Sequence, residues 1–148
     1  MSQDSTQIGA DRIEGDDPLL SLEPDLVIEA TIASPAVRGL WQEGRLSIEG
    51  ESYPENTYEI YDQILSWMDA FLKASLAPLT VVLQLNYLNT SSVRAMIDLF
   101  DRLQLAVDQG GRVHVQWIYD SRNPRSAEVG EEFKEDYTFP FEICALDS

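Results

Sequence analysis

Four consecutive residues, Asn89-Thr90-Ser91-Ser92, gather amide and hydroxyl groups at one point of the chain. Each of these side chains can cap a helix by accepting a backbone N–H. On the plainest reading Asn89 or Thr90 is such a cap and the neighbouring hydroxyls are solvated. A hydroxyl here could also accept a phosphoryl group, because free N–H groups and the macrodipole at a helix N-terminus favour an added anion. Asn89-Thr90-Ser91 fits the N-glycosylation pattern too, but nothing in the N-terminal sequence suggests secretion.

Other chemistry is sparse. One histidine, His114, and one cysteine, Cys144, give no legible nucleophile–base pair. There is no GxGxxG, P-loop, HExxH or CxxC motif. His114 lies in a strand pattern without a spaced ligand partner, so it is expected on the surface. Cys144 reads as a small apolar residue at the end of a strand. Asp11, Glu14, Asp16 and Asp17 miss the spacing of a calcium loop. The remaining carboxylates are scattered, as on solvated faces. A protein without enzymatic activity, metal or cofactor is expected.

The charge narrows the partners. Twenty-six acidic residues against ten basic ones leave −16 on 148 residues, which would repel a nucleic-acid backbone or an anionic membrane. No apolar run is long enough for a membrane span. No basic region precedes an apolar core at the N-terminus, so no signal peptide is predicted and a cytoplasmic protein is expected. A protein or small-molecule partner remains.

The elements that position the hydroxyl cluster are legible. Residues 80–88 alternate Val82, Gln84, Asn86 and Leu88 against Val81, Leu83, Leu85 and Tyr87, the pattern of a strand buried on one face. A helical stripe of Val93, Met96, Ile97, Phe100, Leu103 and Val107 follows, with no room for a loop. The cluster is thereby pinned between a strand end and a helix start.

The rest of the chain supplies neighbours. Residues 1–25 are acidic and poor in aromatics, which predicts a disordered tail before a single domain over 26–148. Residues 26–32 and 39–41 are short strand candidates, and 45–49 pairs through a Glu43-Gly44 turn as a hairpin. Residues 51–56 read as an irregular connector around Pro54. Asn56 caps a helix with Glu59 in its first turn, and Ile60, Ile64, Trp67 or Met68, and Phe71 form its stripe. Gly110-Gly111 stops the helix after the cluster. Residues 112–119 are a strand, 120–125 a turn, 126–136 a weak helix, and 137–145 an extended edge segment containing Pro140. This order predicts an α/β domain with a mixed sheet and helices mainly on one face.

Several tracts carry a resemblance: SYPEN from Ser52 to Asn56, YLNTSS from Tyr87 to Ser92, WIYD from Trp117 to Asp120, and EEFKED followed by FPFEI between Glu131 and Ile143. In order and spacing they resemble the SiaC-type bacterial regulatory phosphoproteins, a family similar to the STAS domains of anti-anti-sigma factors. The resemblance implies a STAS-like fold with Thr90 as phosphoacceptor and Asn89, Ser91 and Ser92 as its supporting shell. It further implies a dedicated kinase, a PP2C-type phosphatase and, as output partner, a diguanylate cyclase activated by the unphosphorylated form, with cyclic di-GMP and biofilm as the outcome. Tyr53, Glu55, Asn56, Tyr119 and Asp120 are candidate partner-interface residues on the same ground. Two alternatives stand beside it: an anti-anti-sigma factor binding an anti-sigma kinase, and an apolar-ligand sensor using Trp41, Trp67 and Trp117.

Overall fold

Leu79, Val81, Leu83 and Leu85 are all buried on one side of a central strand, β4 (Leu79–Leu88). The computed structural model describes residues 25–146. The segment read as a disordered tail lies, but for Asp25, outside the described residues. Around β4 lie β1 (Leu26–Ile28), β2 (Ala36–Leu40), β3 (Arg45–Ser52), β5 (Val113–Tyr119) and β6 (Phe141–Ala145). The six form one sheet in the order β1-β2-β3-β4-β5-β6. The first three pair antiparallel, whereas β3-β4, β4-β5 and β5-β6 are parallel.

Each parallel pair is joined by one helix: α1 (Thr57–Ala74), α2 (Thr90–Asp108) and α3 (Pro124–Lys134). The strand order advances in one direction, so crossovers of one hand place every helix on the same face. The buried side chains of all three helices accordingly join one core with Leu46, Ile48, Leu83, Val115 and Trp117. The mixed α/β sheet with helices on one face agrees with the sequence reading. His114 sits on the opposite face and meets Glu142 at 3.2 Å, as expected of a surface histidine.

Boundaries and registers differ in instructive ways. β1 stops at Ile28 because Thr31 folds the chain into a turn, its Oγ1 accepting from the N–H groups of Ala33 and Ser34. β2 therefore begins at Ala36. β3 runs on to Ser52, so Glu51 and Ser52 are strand rather than connector; Pro54 falls just beyond the ladder. α3 starts at Pro124, inside the expected turn, since a proline fits the first helical position.

In β4 the register slips after Leu85, which faces Gly50, so that Tyr87 faces Glu51 and Asn86 is an extra residue. This bulge inverts the alternation. Leu88 turns to the core and Tyr87 to solvent, the reverse of the simple pattern.

The helix stripes are rotated from those read in the sequence. In α2 the buried side is Ser92, Ala95, Met96, Leu99, Phe100 and Leu103, while Ile97 is exposed and Val93 and Val107 lie at the margin. In α1 it is Tyr61, Leu65 and Met68 as much as Ile64 and Phe71, and Ile60 is peripheral.

Close packing of α3 on the sheet depends on Gly130. A Cβ there would sit 2.6 Å from Cδ1 of Trp117, a fully buried ring held by its indole N–H on the Ser126 carbonyl at 2.9 Å. Gly130→Ala should therefore cost about 1–3 kcal/mol from overpacking, read by urea denaturation. An unchanged midpoint would mean that α3 can move off the sheet without penalty.

Candidate functional site

Because β3, β4 and β5 are parallel, their C-terminal ends share one end of the sheet. The two sequence tracts SYPEN and NTSS leave β3 and β4 there, side by side. The backbone N–H of Asn89 donates to the Ser52 carbonyl at 3.0 Å, which ties the start of α2 to the end of β3.

Asn89 is the N-cap of α2: its Oδ1 accepts from the Ser92 N–H at 2.9 Å and from the Ser91 hydroxyl at 3.2 Å. The three serine and threonine hydroxyls that follow have different surroundings. Ser92 is fully buried, its Oγ 2.7 Å from Oγ of Ser52, which lies 2.9 Å from the Tyr61 hydroxyl. Burial pushes the Tyr61 phenol up, so it remains a neutral hydrogen-bonding group. Ser91 is half-buried, 2.6 Å from the hydroxyl of buried Thr57. Thr90, at the first helical position, is exposed, and its side chain has no hydrogen-bond partner among the described residues.

The caps and links carry distinct energies. Asn89→Ala should cost about 1 kcal/mol, a lost cap. Ser52→Ala should cost about 1–3 kcal/mol, because it leaves the Ser92 and Tyr61 hydroxyls buried with a partner missing. Thr90→Ala should be near neutral. Thermal melts of the three variants test this ranking, and an equal or larger loss for Thr90→Ala would mean that its hydroxyl is engaged.

Of the other residues expected at a partner surface, Tyr53, Glu55 and Asn56 are exposed at this end. Tyr53 and Tyr87 form an edge-to-face pair with centroids 6.0 Å apart, and Asn56 caps α1 by accepting from the Glu59 N–H at 3.3 Å. Tyr119 is half-buried at the end of β5. Asp120 is gripped by Arg122, with contacts of 2.6 to 3.2 Å, and these hydrogen bonds lower its pKa to about 2. Asn123 joins the turn to the site by donating to the Asn86 carbonyl at 3.0 Å. Beside it a groove of about 220 Å³ opens between α2 and α3, bordered by Leu88, Val93, Val129 and Arg125.

Sequence reasoning missed Ser52, Thr57 and Tyr61 as the polar frame, and Arg94 one turn along from Thr90. An i, i+4 spacing puts Arg94 on the Thr90 face of α2, with its side chain leaning toward the N-terminus. That spacing was available in the sequence; the Ser52–Ser92 contact was not. Trp41, Trp67 and Trp117 do not form a ligand pocket. Trp41 and Trp67 meet each other and Phe71, whereas Trp117 packs on Phe133. No cluster able to hold a metal occurs among the described residues.

The chain is thus an α/β domain that displays hydroxyls at a helix N-terminus on the end of a central parallel strand, and no helix among the described residues is long and apolar enough to cross a membrane. The chain belongs to the SiaC family of regulatory phosphoproteins, whose family model matches residues 28–146. It is 52% identical over 124 residues to an uncharacterised protein of Pseudomonas aeruginosa strain UCBPP-PA14, covering 83% of this chain and 98% of that one. The structure of apo-SiaC from Pseudomonas aeruginosa superposes with a TM-score of 0.80 at 49% identity, over 83% of this chain and 100% of that one. SiaC in its complex with the diguanylate cyclase SiaD, which it activates, matches with a TM-score of 0.80 at 50% identity, over 82% of this chain and 99% of that chain.

Proposed function

We propose that this protein is a non-enzymatic, cytoplasmic switch whose unphosphorylated form binds and activates a diguanylate cyclase, and whose Thr90 is phosphorylated by a kinase and reset by a PP2C-type phosphatase. One observation carries the site assignment: Thr90 is the exposed, unengaged hydroxyl of the cluster, while Ser91 is bridged and Ser92 is buried. A kinase can reach Thr90 without opening the fold. The likeness to SiaC bound to a diguanylate cyclase supports the choice of output partner.

The chemistry of the switch is electrostatic. A phosphate adds about −1.5 to −2 charge at pH 7. At the N-terminus of α2 it gains up to about 2 kcal/mol from the helix dipole, and Arg94 can pair with it. The domain therefore stays folded. Buried under a partner, the same dianion must lose its water, which costs several kcal/mol. Tyr53, Tyr87, Glu55 and Asn56, exposed at the same end of the sheet as Thr90, form the surface on which that partner rests in this reading.

The test is direct. Unphosphorylated protein added to the candidate cyclase should raise its rate of cyclic di-GMP synthesis and co-elute with it. A cyclase unaffected by stoichiometric protein, with an anti-sigma kinase captured instead, would replace the output partner.

A further inference from the structure

At the end of the sheet opposite Thr90, the C-termini of α1 and α2 border a groove of about 600 Å³. Its wall holds Lys73, Arg102 and Arg112 against one carboxylate, Asp69. Leu76 and Leu105, 96% and 59% exposed, add apolar surface. Arg102 pairs with Asp69, and Arg112 donates to the Leu76 carbonyl at 3.0 Å. None of the ion pairs among the described residues includes Lys73. The two helix C-termini contribute about −0.5 charge each, which does not cancel the excess of two cations. The groove is thus positive in a chain whose net charge is −16.

The chain itself contains a matching sequence. Asp16 and Asp17 are followed, after Pro18, by Leu19 and Leu20, ahead of the family match over residues 28–146. The described chain begins at Asp25, whose Oδ1 accepts from the Trp41 N–H at 3.0 Å. Trp41 lies on Phe71, ring centroids 5.3 Å apart, and the next residues, Leu72 and Lys73, line the groove. β1 starts at the same end of the sheet as β3 and β4, the groove's end. From Asp25 back to Leu20 an extended chain reaches about 17 Å.

We propose that residues 16–20 of this chain dock in that groove, Leu19 and Leu20 covering Leu76 and Leu105 while Asp16 and Asp17 face Lys73, Arg102 and Arg112. Tethering makes the contact intramolecular, at an effective concentration in the millimolar range. It leaves the Thr90 end open.

Amide hydrogen exchange on the full-length chain tests this. The backbone N–H groups of Ala77 and Gly111 should exchange about tenfold faster in Asp16→Lys/Asp17→Lys than in the unaltered protein. Lys73→Glu should have a similar effect, and combining it with the two aspartate changes should restore part of the protection. Salt at 1 M, where the screening length falls to about 3 Å, should weaken the protection in the unaltered protein. Equal exchange in the unaltered chain and the aspartate variant overturns the proposal. Protection that rises with protein concentration also overturns it, because a second copy would then be covering the groove.

Discussion

Phosphorylation of Thr90 should weaken binding to the cyclase by about two orders of magnitude. Each factor of ten corresponds to about 1.4 kcal/mol, and burying a phosphate dianion in a contact costs more than twice that. Thr90→Ala should bind like the unmodified protein, since it removes only a small exposed group. Thr90→Asp should fall between them, because one carboxylate carries less charge and fewer acceptor oxygens than a phosphate. Arg94→Ala should remove a partner of the phosphate and so leave unphosphorylated binding less affected than the phosphorylated form. Calorimetry on the unmodified and phosphorylated proteins and the three variants measures these differences. Equal affinities for phosphorylated and unmodified protein would reduce Thr90 to a surface residue.

Phe100→Ala should destabilise the fold by about 3–5 kcal/mol, the cost of a large cavity in a packed core. Phe100 is fully buried on the central helix. Its ring meets Phe133 of α3 at 5.1 Å, Phe141 of β6 at 5.5 Å, Tyr137 at 5.4 Å and Phe139 at 6.4 Å. One side chain therefore holds the second half of the domain to α2, and losing it leaves four rings without their common neighbour. Urea denaturation should show the loss in midpoint, whereas Thr90→Ala under the same conditions should not move it. A Phe100→Ala loss below about 1 kcal/mol would mean that the terminal aromatic tract repacks without it.

The contrast between these residues explains how much could be read from the sequence. Local patterns suffice for local structure: Asn89 follows a strand pattern and precedes a helical one, so the cap and the placement of Thr90 are legible. The mixed sheet with helices on one face follows from strand–helix–strand succession and handedness. Three things depended on long-range registration. The bulge at Asn86 reverses Tyr87 and Leu88, and no property of these residues alone announces it. The rotation of α2 that buries Ala95 and Leu99 instead of Ile97 follows where the helix is anchored, through Ser92 onto Ser52. Those two serines are 40 positions apart. The tracts SYPEN and NTSS pointed to the family, but only the parallel pairing of β3 with β4 makes them neighbours.

The most direct test of the switch is the position of the phosphate. After incubation with the cognate kinase and ATP, intact mass should rise by one phosphate, and peptide fragmentation should place it on Thr90. Thr90→Ala should then take up none. A phosphate found on Ser91 or Ser92 would contradict the assignment, because those hydroxyls are bridged or buried in the folded domain.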